Sequence, residues 1–404
     1  MSKEILLLGT LDSKGPEVGY LKQKIEERGW KTLVVDVGLL GPALCPADIT
    51  QEEVAQAGGE DFSHMKARHD RSHSVEVMTQ GAIRKVLELY SRGRLGGVMA
   101  VGGGTGTAIG TAVMRSLPFG VPKVMISTVA SRDVRDYVGT SDILMYHSVV
   151  DLAGLNSLAK AILERAAGAV TGMAEAASEI RPERPLVAVT SFGICPLSAE
   201  RAGSLLAEKG YEMVTFHANG VGGRALEELA EQGLFAGILD FVTHEFADQL
   251  YGGYCSGIGP ERLSTGVRKG VPLIVVPGGL DCIVFNSAED VPEKLKGRRL
   301  YHHDVRVAVR TAREELELIA RTMAERLAGA KGPVGVLIPL KGWSEADKEG
   351  EPLFDPLADE FFIEALEHLL PSEVPLKKVN RHISDPEFVR QAVDWLDELI
   401  RSLS

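Results

Sequence analysis

The stretch GGVMAVGGGTGTAIGTAVM, Gly96 to Met114, decides the reading of the fold. A short apolar run, Val98 to Val101, meets a cluster of small residues and then a second apolar run. Glycine loses more conformational entropy on folding than any other residue, so Gly102, Gly103, Gly104 and Gly106 beside Thr105 and Thr107 need a reason. A tight strand-to-helix turn whose bare N–H groups face an anion supplies one. The competing reason is purely structural: small residues let a helix pack closely on a sheet. The loop is neither a Walker A loop nor GxGxxG, because no Gly-Lys-Ser/Thr follows and Thr107 stands at the third glycine position.

Working outward, the same alternation recurs. EILLLG, KTLVVDV, GGVMAVG and PKVMIS come first, then PLVAVTS, EMVTFHA, AGILDFV, VPLIVVPG and GPVGVLIPL. These are short Val/Ile/Leu runs with little polar alternation, as expected of parallel strands buried on both faces. Helical patterns such as PEVGYLKQKIEERG, VEVMTQGAIRKVLELYSRG and ALEELAEQG lie between them. The expected fold class is α/β, with two Rossmann-like doubly wound parallel-sheet domains. The break falls near ASEIRPERPLVAV, giving domains at 1–180 and 184–404. The polar stretch GGEDFSHMKARHDRSHSVE reads as a loop. Asp385 and Pro386 read as the cap and first residue of the C-terminal helix.

The chain has 404 residues, 45% of them apolar and 25% charged, with a formal net charge of −12. That balance argues against nucleic acid or an anionic membrane as the main partner. Four cysteines without CxxC spacing suit a reducing compartment. No run approaches the about 20 apolar residues of a membrane span, and the expected location is the cytoplasm.

Ligands of doubly wound sheets sit outside the carboxyl ends of the strands. Those positions carry Thr10, Asp12, Ser13 and Lys14 after the first strand. Gly102 to Thr107 follow the third strand, and Ser127, Thr128, Ser131 and Asp133 follow the fourth. Amides, hydroxyls and one lysine suit phosphate oxygens, and Asp12 or Asp133 suits a divalent cation. The second half offers His217, Asn219, Gly222, Gly223 and Arg224, then Asp240, His244, Glu245 and Asp248. Gly278, Asp281, His303 and Asp304 follow. Histidines and carboxylates at strand ends are what acid–base chemistry on a small polar substrate requires, with His217, Glu245 and Asp281 as its candidates. Asn219, Gly222, Gly223, Arg224, Gly278 and His303 are the candidates for holding that substrate. The bland reading makes the histidines helix-start residues and the glycines turn formers.

The motifs GTLDSKG, GGGTGT, PKVMISTVASRD, SVVDLAGLN, FHANGVGGRALEEL, VVPGGLD, PLKGWSEADKEGEPLFDP and HISDPEF occur in this order over essentially the whole chain. Together they resemble an uncharacterised bacterial and plant family that includes the ATP-binding domain of the tomato mosaic virus resistance protein. The resemblance implies two Rossmann-like subdomains, ATP with Mg2+ in the first, and a homodimer. The expectation is therefore an ATP-binding protein acting on a small anionic metabolite at an interdomain cleft. The alternatives are a non-catalytic nucleotide-binding regulator and an ATP-independent isomerase or hydrolase that uses the second cluster alone.

Overall fold

The computed structural model describes residues 3–177, 181–193 and 195–403, without the side chains of residues 196 and 197. Residues 178–180 of the predicted boundary stretch lie outside the described residues. The chain divides into two compact units, Met1–Ile180 and Arg181–Ser404.

The first unit holds five strands: β1 (Glu4–Gly9), β2 (Lys31–Asp36), β3 (Leu95–Gly102), β4 (Lys123–Ser127) and β5 (Leu144–His147). They form one parallel sheet in the order β2-β1-β3-β4-β5. Alternate side chains leave opposite faces of a strand. Leu6, Leu8, Val98 and Ala100 therefore enter one apolar cluster, and Ile5, Leu7, Met99 and Val101 enter another. Each buried Leu, Ile or Val contributes about 1.5–3 kcal/mol relative to an exposed one. Two covered faces explain why β3 is buried along its whole length and reads as a continuous apolar run.

The second unit holds β6 (Leu186–Ser191), β7 (Glu212–His217), β8 (Gly237–Val242), β9 (Leu273–Gly278), β10 (Cys282–Phe285), β11 (Leu300–His302), β12 (Val307–Arg310), β13 (Val334–Pro339) and β14 (Leu376–Val379). Six of them make a parallel sheet ordered β14-β13-β9-β8-β6-β7. An antiparallel three-stranded sheet, β10-β12-β11, is inserted between β9 and β13 in sequence. Numbered within its own unit, each parallel sheet begins 2-1-3-4-5. The direction in which strands are added reverses between first and third strands, so each unit has a topological switch point there.

One expected loop is helical. Asp61 accepts from the Ser63 and His64 N–H groups and starts a helix at Phe62–Ala67. Asp70 accepts from the His73 N–H and starts the long helix Arg71–Ser91. Only Phe62 and Met65 of the shorter helix are buried, so its charged residues mask the apolar period. Asp385 accepts from the Glu387 N–H and caps Pro386–Arg401, as expected.

Candidate functional site

At the β1/β3 switch point lies a cleft of about 190 Å³. Thr10, Asp12, Ser13 and Lys14 line one side, and Gly103, Gly104, Thr105 and Gly106 line the other. Leu39, Leu40 and Arg71 complete the wall. Two helices start here, Leu11–Glu26 and Gly104–Arg115, and neither N-cap residue, Thr10 nor Gly103, caps its helix with its side chain. The first N–H groups of a helix have no partner within it and carry the positive end of its dipole. At the Leu11–Glu26 helix the Leu11 N–H is taken by Asp36 Oδ1 at 3.1 Å and the Ser13 N–H by the Thr10 carbonyl at 3.0 Å. It is therefore the Gly104–Arg115 helix that turns an N-terminus without a side-chain cap toward the cleft, as anion sites require. Lys14 adds an ammonium, anchored by donation to the Leu152 carbonyl. Arg71 adds a guanidinium 3.1 Å from Thr105 Oγ1.

The glycines divide between the two reasons given for them. None of Gly102 to Gly106 has a positive φ, so backbone handedness does not explain them. A Cβ on Gly102 would lie 2.7 Å from Gly106 Cα, and one on Gly110 would lie 2.7 Å from Ala100 Cβ. Those two serve close packing. A Cβ on Gly104 would meet nothing within 4 Å, and one on Gly103 only Thr128 Oγ1 at 3.6 Å. These two face the cleft.

Other expected cofactor contacts are corrected. Thr107 and Ser127 are buried and bonded to each other at 2.7 Å, below the cleft floor. Gly102 is a buried residue of β3. Thr128 lies beside Gly103 without lining the cleft, and Ser131 is exposed on the following turn. Of the two metal candidates, Asp12 lines the cleft and Asp133 does not. Asp12 Oδ2 accepts the N–H groups of Leu39, Leu40 and Gly41 at 3.0, 2.6 and 3.3 Å, which fixes the rim. Asp133 is exposed, outside the cleft, and paired with Arg135 at 2.6 Å.

In the second unit, a smaller cavity of about 90 Å³ is lined by Phe192, Gly193, His217, Val284, His303, Arg306 and Ala308. Burial, then the charge of Arg306, push the His217 imidazole below its ordinary value. Arg306 is held by Asp304 at 2.6 Å and lies over the Tyr254 ring. An imidazole beside a fixed guanidinium offers a hydrogen-bond donor and a cation to an anion seated between them.

Among the expected second-unit residues, only His217 and His303 share this cavity. Glu245 is corrected from catalytic acid to structural anchor: fully buried, it pairs with Arg262 Nε at 2.6 Å and accepts the Gly220 N–H at 2.7 Å. Arg262 also grips Asp240 through both terminal nitrogens. Asp281 is likewise buried, with Oδ2 accepting from Ser344 Oγ at 2.8 Å. It belongs to an internal acid group with Asp347 and Asp359 beside Arg310. Asn219 accepts the Gly222 N–H. Gly222, Gly223 and Gly278 are packing glycines, whose added Cβ atoms would lie 2.0 Å from His217 O, 2.6 Å from Glu245 Oε1 and 2.1 Å from Phe241 O. Arg224 lines a separate surface groove with Glu228 and Glu231.

Sequence reasoning missed Arg71 and Arg306. Arg71 sits in the stretch read as a loop. Arg306 follows the expected His303 by three residues, a spacing that carried no motif.

The geometry describes a two-domain α/β protein with 2-1-3-4-5 strand order in each parallel sheet and a glycine-lined cleft flanked by Lys14 and Arg71 at the first switch point. Residues 3–179 match the N-terminal domain, and residues 184–400 the C-terminal domain, of the uncharacterised protein family UPF0261. The chain belongs to that family. A UPF0261 protein of Clostridium tetani is 40% identical over 391 residues, covering 96% of each chain. One from Rhizobium meliloti is 39% identical over 97% of this chain and 98% of its own. The ToMV resistance protein Tm-1(GCR237) of Solanum lycopersicum is 36% identical over 98% of this chain and 56% of its own length. The UDP-GlcNAc 2-epimerase structure from Methanocaldococcus jannaschii aligns over 98% of this chain and 92% of its own at 10% identity. Its TM-score is 0.24, too loose a likeness to carry an argument. No helix among the described residues is long and apolar enough to cross a membrane.

Proposed function

We propose that the first domain binds the phosphates of a nucleotide, ATP with Mg2+, and that the second domain holds a small anionic metabolite. One observation carries the first half of this reading: the uncapped N-terminus of the Gly104–Arg115 helix, Lys14 and Arg71 surround one cleft at a switch point. Backbone amides and two cations suit a polyphosphate whatever the net charge of the chain. The carboxylates around the cleft do not form a metal cage, since Asp12 Oδ2 is engaged by three amides and Asp133 is elsewhere. Mg2+ therefore enters only as the counter-ion of the nucleotide. The His217, His303 and Arg306 cavity supports the second half. A binding protein without turnover and an ATP-dependent enzyme share this first site.

Calorimetric titration of the full chain with ATP and Mg2+ tests the reading. Binding is expected, and Lys14→Ala and Arg71→Ala should each weaken it about 10- to 100-fold, the value of a hydrogen bond to a charged group. Thermal unfolding of both variants separates lost affinity from lost fold. Heat absent at millimolar ATP, with a folded protein, overturns the reading. Light scattering with and without ATP tests the homodimer.

A further inference from the structure

Behind the second cavity, Phe192 divides the histidine pocket from a buried cluster. Its ring is 5.4 Å from His217 on one side and stacks on His244 at 4.7 Å on the other. His244, Asp248 and Cys255 are all fully buried, and their side-chain donor atoms lie within 4.8 Å of one another. His244 Nδ1 is 2.7 Å from the Gly279 carbonyl. A carbonyl can only accept, so Nδ1 carries a hydrogen, and in the neutral imidazole the Nε2 lone pair points into the cluster. Nε2 is 3.2 Å from Asp248 Oδ1, yet off hydrogen-bonding geometry, and has no hydrogen-bond partner among the described residues. An unpartnered polar atom at such depth calls for an explanation.

The surroundings of the cluster match those of a metal ligand set. The imidazole is oriented by a carbonyl on its far nitrogen. The Asp248 carboxylate is oriented by the Val284 N–H on Oδ1 and the Cys255 N–H on Oδ2, both at 2.7 Å. Each oxygen keeps a free lone pair after those bonds. The buried Cys282 thiol lies close enough to His244 to feel its charge.

We infer that His244 Nε2, the Asp248 carboxylate and the Cys255 sulfur bind a divalent transition ion of the zinc class, with Cys282 at its edge. Nitrogen, sulfur and oxygen donors together select zinc-like ions over magnesium or calcium. Charge supports three ligands: the ion's two positive charges cancel one carboxylate and one thiolate, with neutral imidazole as the third donor. That sum is zero, as burial requires. Binding forms the metal–sulfur bond as the Cys255 S–H proton leaves to solvent, so nothing is oxidised or reduced. The competing account is a metal-free imidazolium–carboxylate ion pair.

The full chain, unfolded with chelator and refolded with Co2+ or Zn2+ under reducing conditions, distinguishes the two. About one ion per chain should survive dialysis, and cobalt should show thiolate-to-metal charge transfer with strong visible bands. Cys255→Ser should lose the charge-transfer band, while Cys45→Ser, in the other domain, should keep it. Wild-type protein that refolds without retaining metal overturns the inference, as does a cobalt spectrum unchanged by Cys255→Ser. The wild-type titration decides the matter even if the serine variant fails to fold. Neither outcome depends on whether ATP binds the first domain.

Discussion

The β1/β3 and β6/β8 junctions are the same turn of the same topology with opposite contents. After β1 and β3 come Thr10 and Gly103-Gly104, and the space above them is open. After β6 and β8 come Phe192 and His244, whose rings stack and close that space. Strand order therefore sets where a ligand can sit. The residues following the strands decide whether the place becomes a solvent-open cradle or a packed polar interior. The second unit balances its buried charges internally, with Arg262 against Asp240, Glu245 and Glu227. The first unit leaves its Gly103–Gly104 helix start without a side-chain cap.

The sharpest way to break this contrast is Arg262→Ala. It strands the buried carboxylates of Asp240 and Glu245 and should cost about 3–5 kcal/mol. Denaturant unfolding should show it, and a change under about 1 kcal/mol would deny that the second junction depends on charge balance. Paired alanines on glycine come next. Gly222→Ala drives a Cβ to 2.0 Å from the His217 carbonyl and should destabilise by about 1–3 kcal/mol. Gly104→Ala places its Cβ in open space, so it should leave thermal unfolding nearly unchanged while weakening ATP. Equal melting shifts in the two variants would erase the distinction between packing and cradle glycines.

A pH dependence concerns the acid group. Burial, then the charges of Asp281 and Asp359, push the Asp347 carboxyl up to about 9. The native state thus keeps a proton that the unfolded chain releases in the ordinary carboxylate range, near 4. Between those values the native state binds more protons, so stability falls as pH rises through the window. The Asp347→Asn substitution, which puts a neutral amide of the same shape in place of the protonated acid, should flatten that fall and raise stability at pH 8 relative to pH 5. Chemical denaturation of this variant across pH 5 to 9 measures it, and parallel profiles for variant and wild type would refute the assignment.

Much of this was legible before any coordinates. Continuous apolar runs announce parallel strands, so the cores of both sheets were readable. The short strands β5, β10, β11, β12 and β14 were not, since three or four residues carry too little period. Asp61 and Asp70 did signal helix starts, but charge outweighed the pattern around them. The glycine junction pointed to the first cleft because neighbouring residues build it. Glu245 and Asp281 were misread because residue type does not reveal burial. Their partners, Arg262 and Ser344, lie 17 and 63 residues away. Arg71 escaped for the same reason, meeting Thr105 across 34 residues.

The clamp of Asp12 on Leu39 to Gly41 has one more consequence. It holds Leu40 out at the mouth of the cleft, 67% exposed. An aliphatic ledge beside a phosphate cradle gives a planar, greasy head group somewhere to rest, and shielding that leucine from water is worth about 1 kcal/mol or more. Inorganic triphosphate gains nothing from it. The cleft is thereby biased toward phosphates that arrive attached to a base.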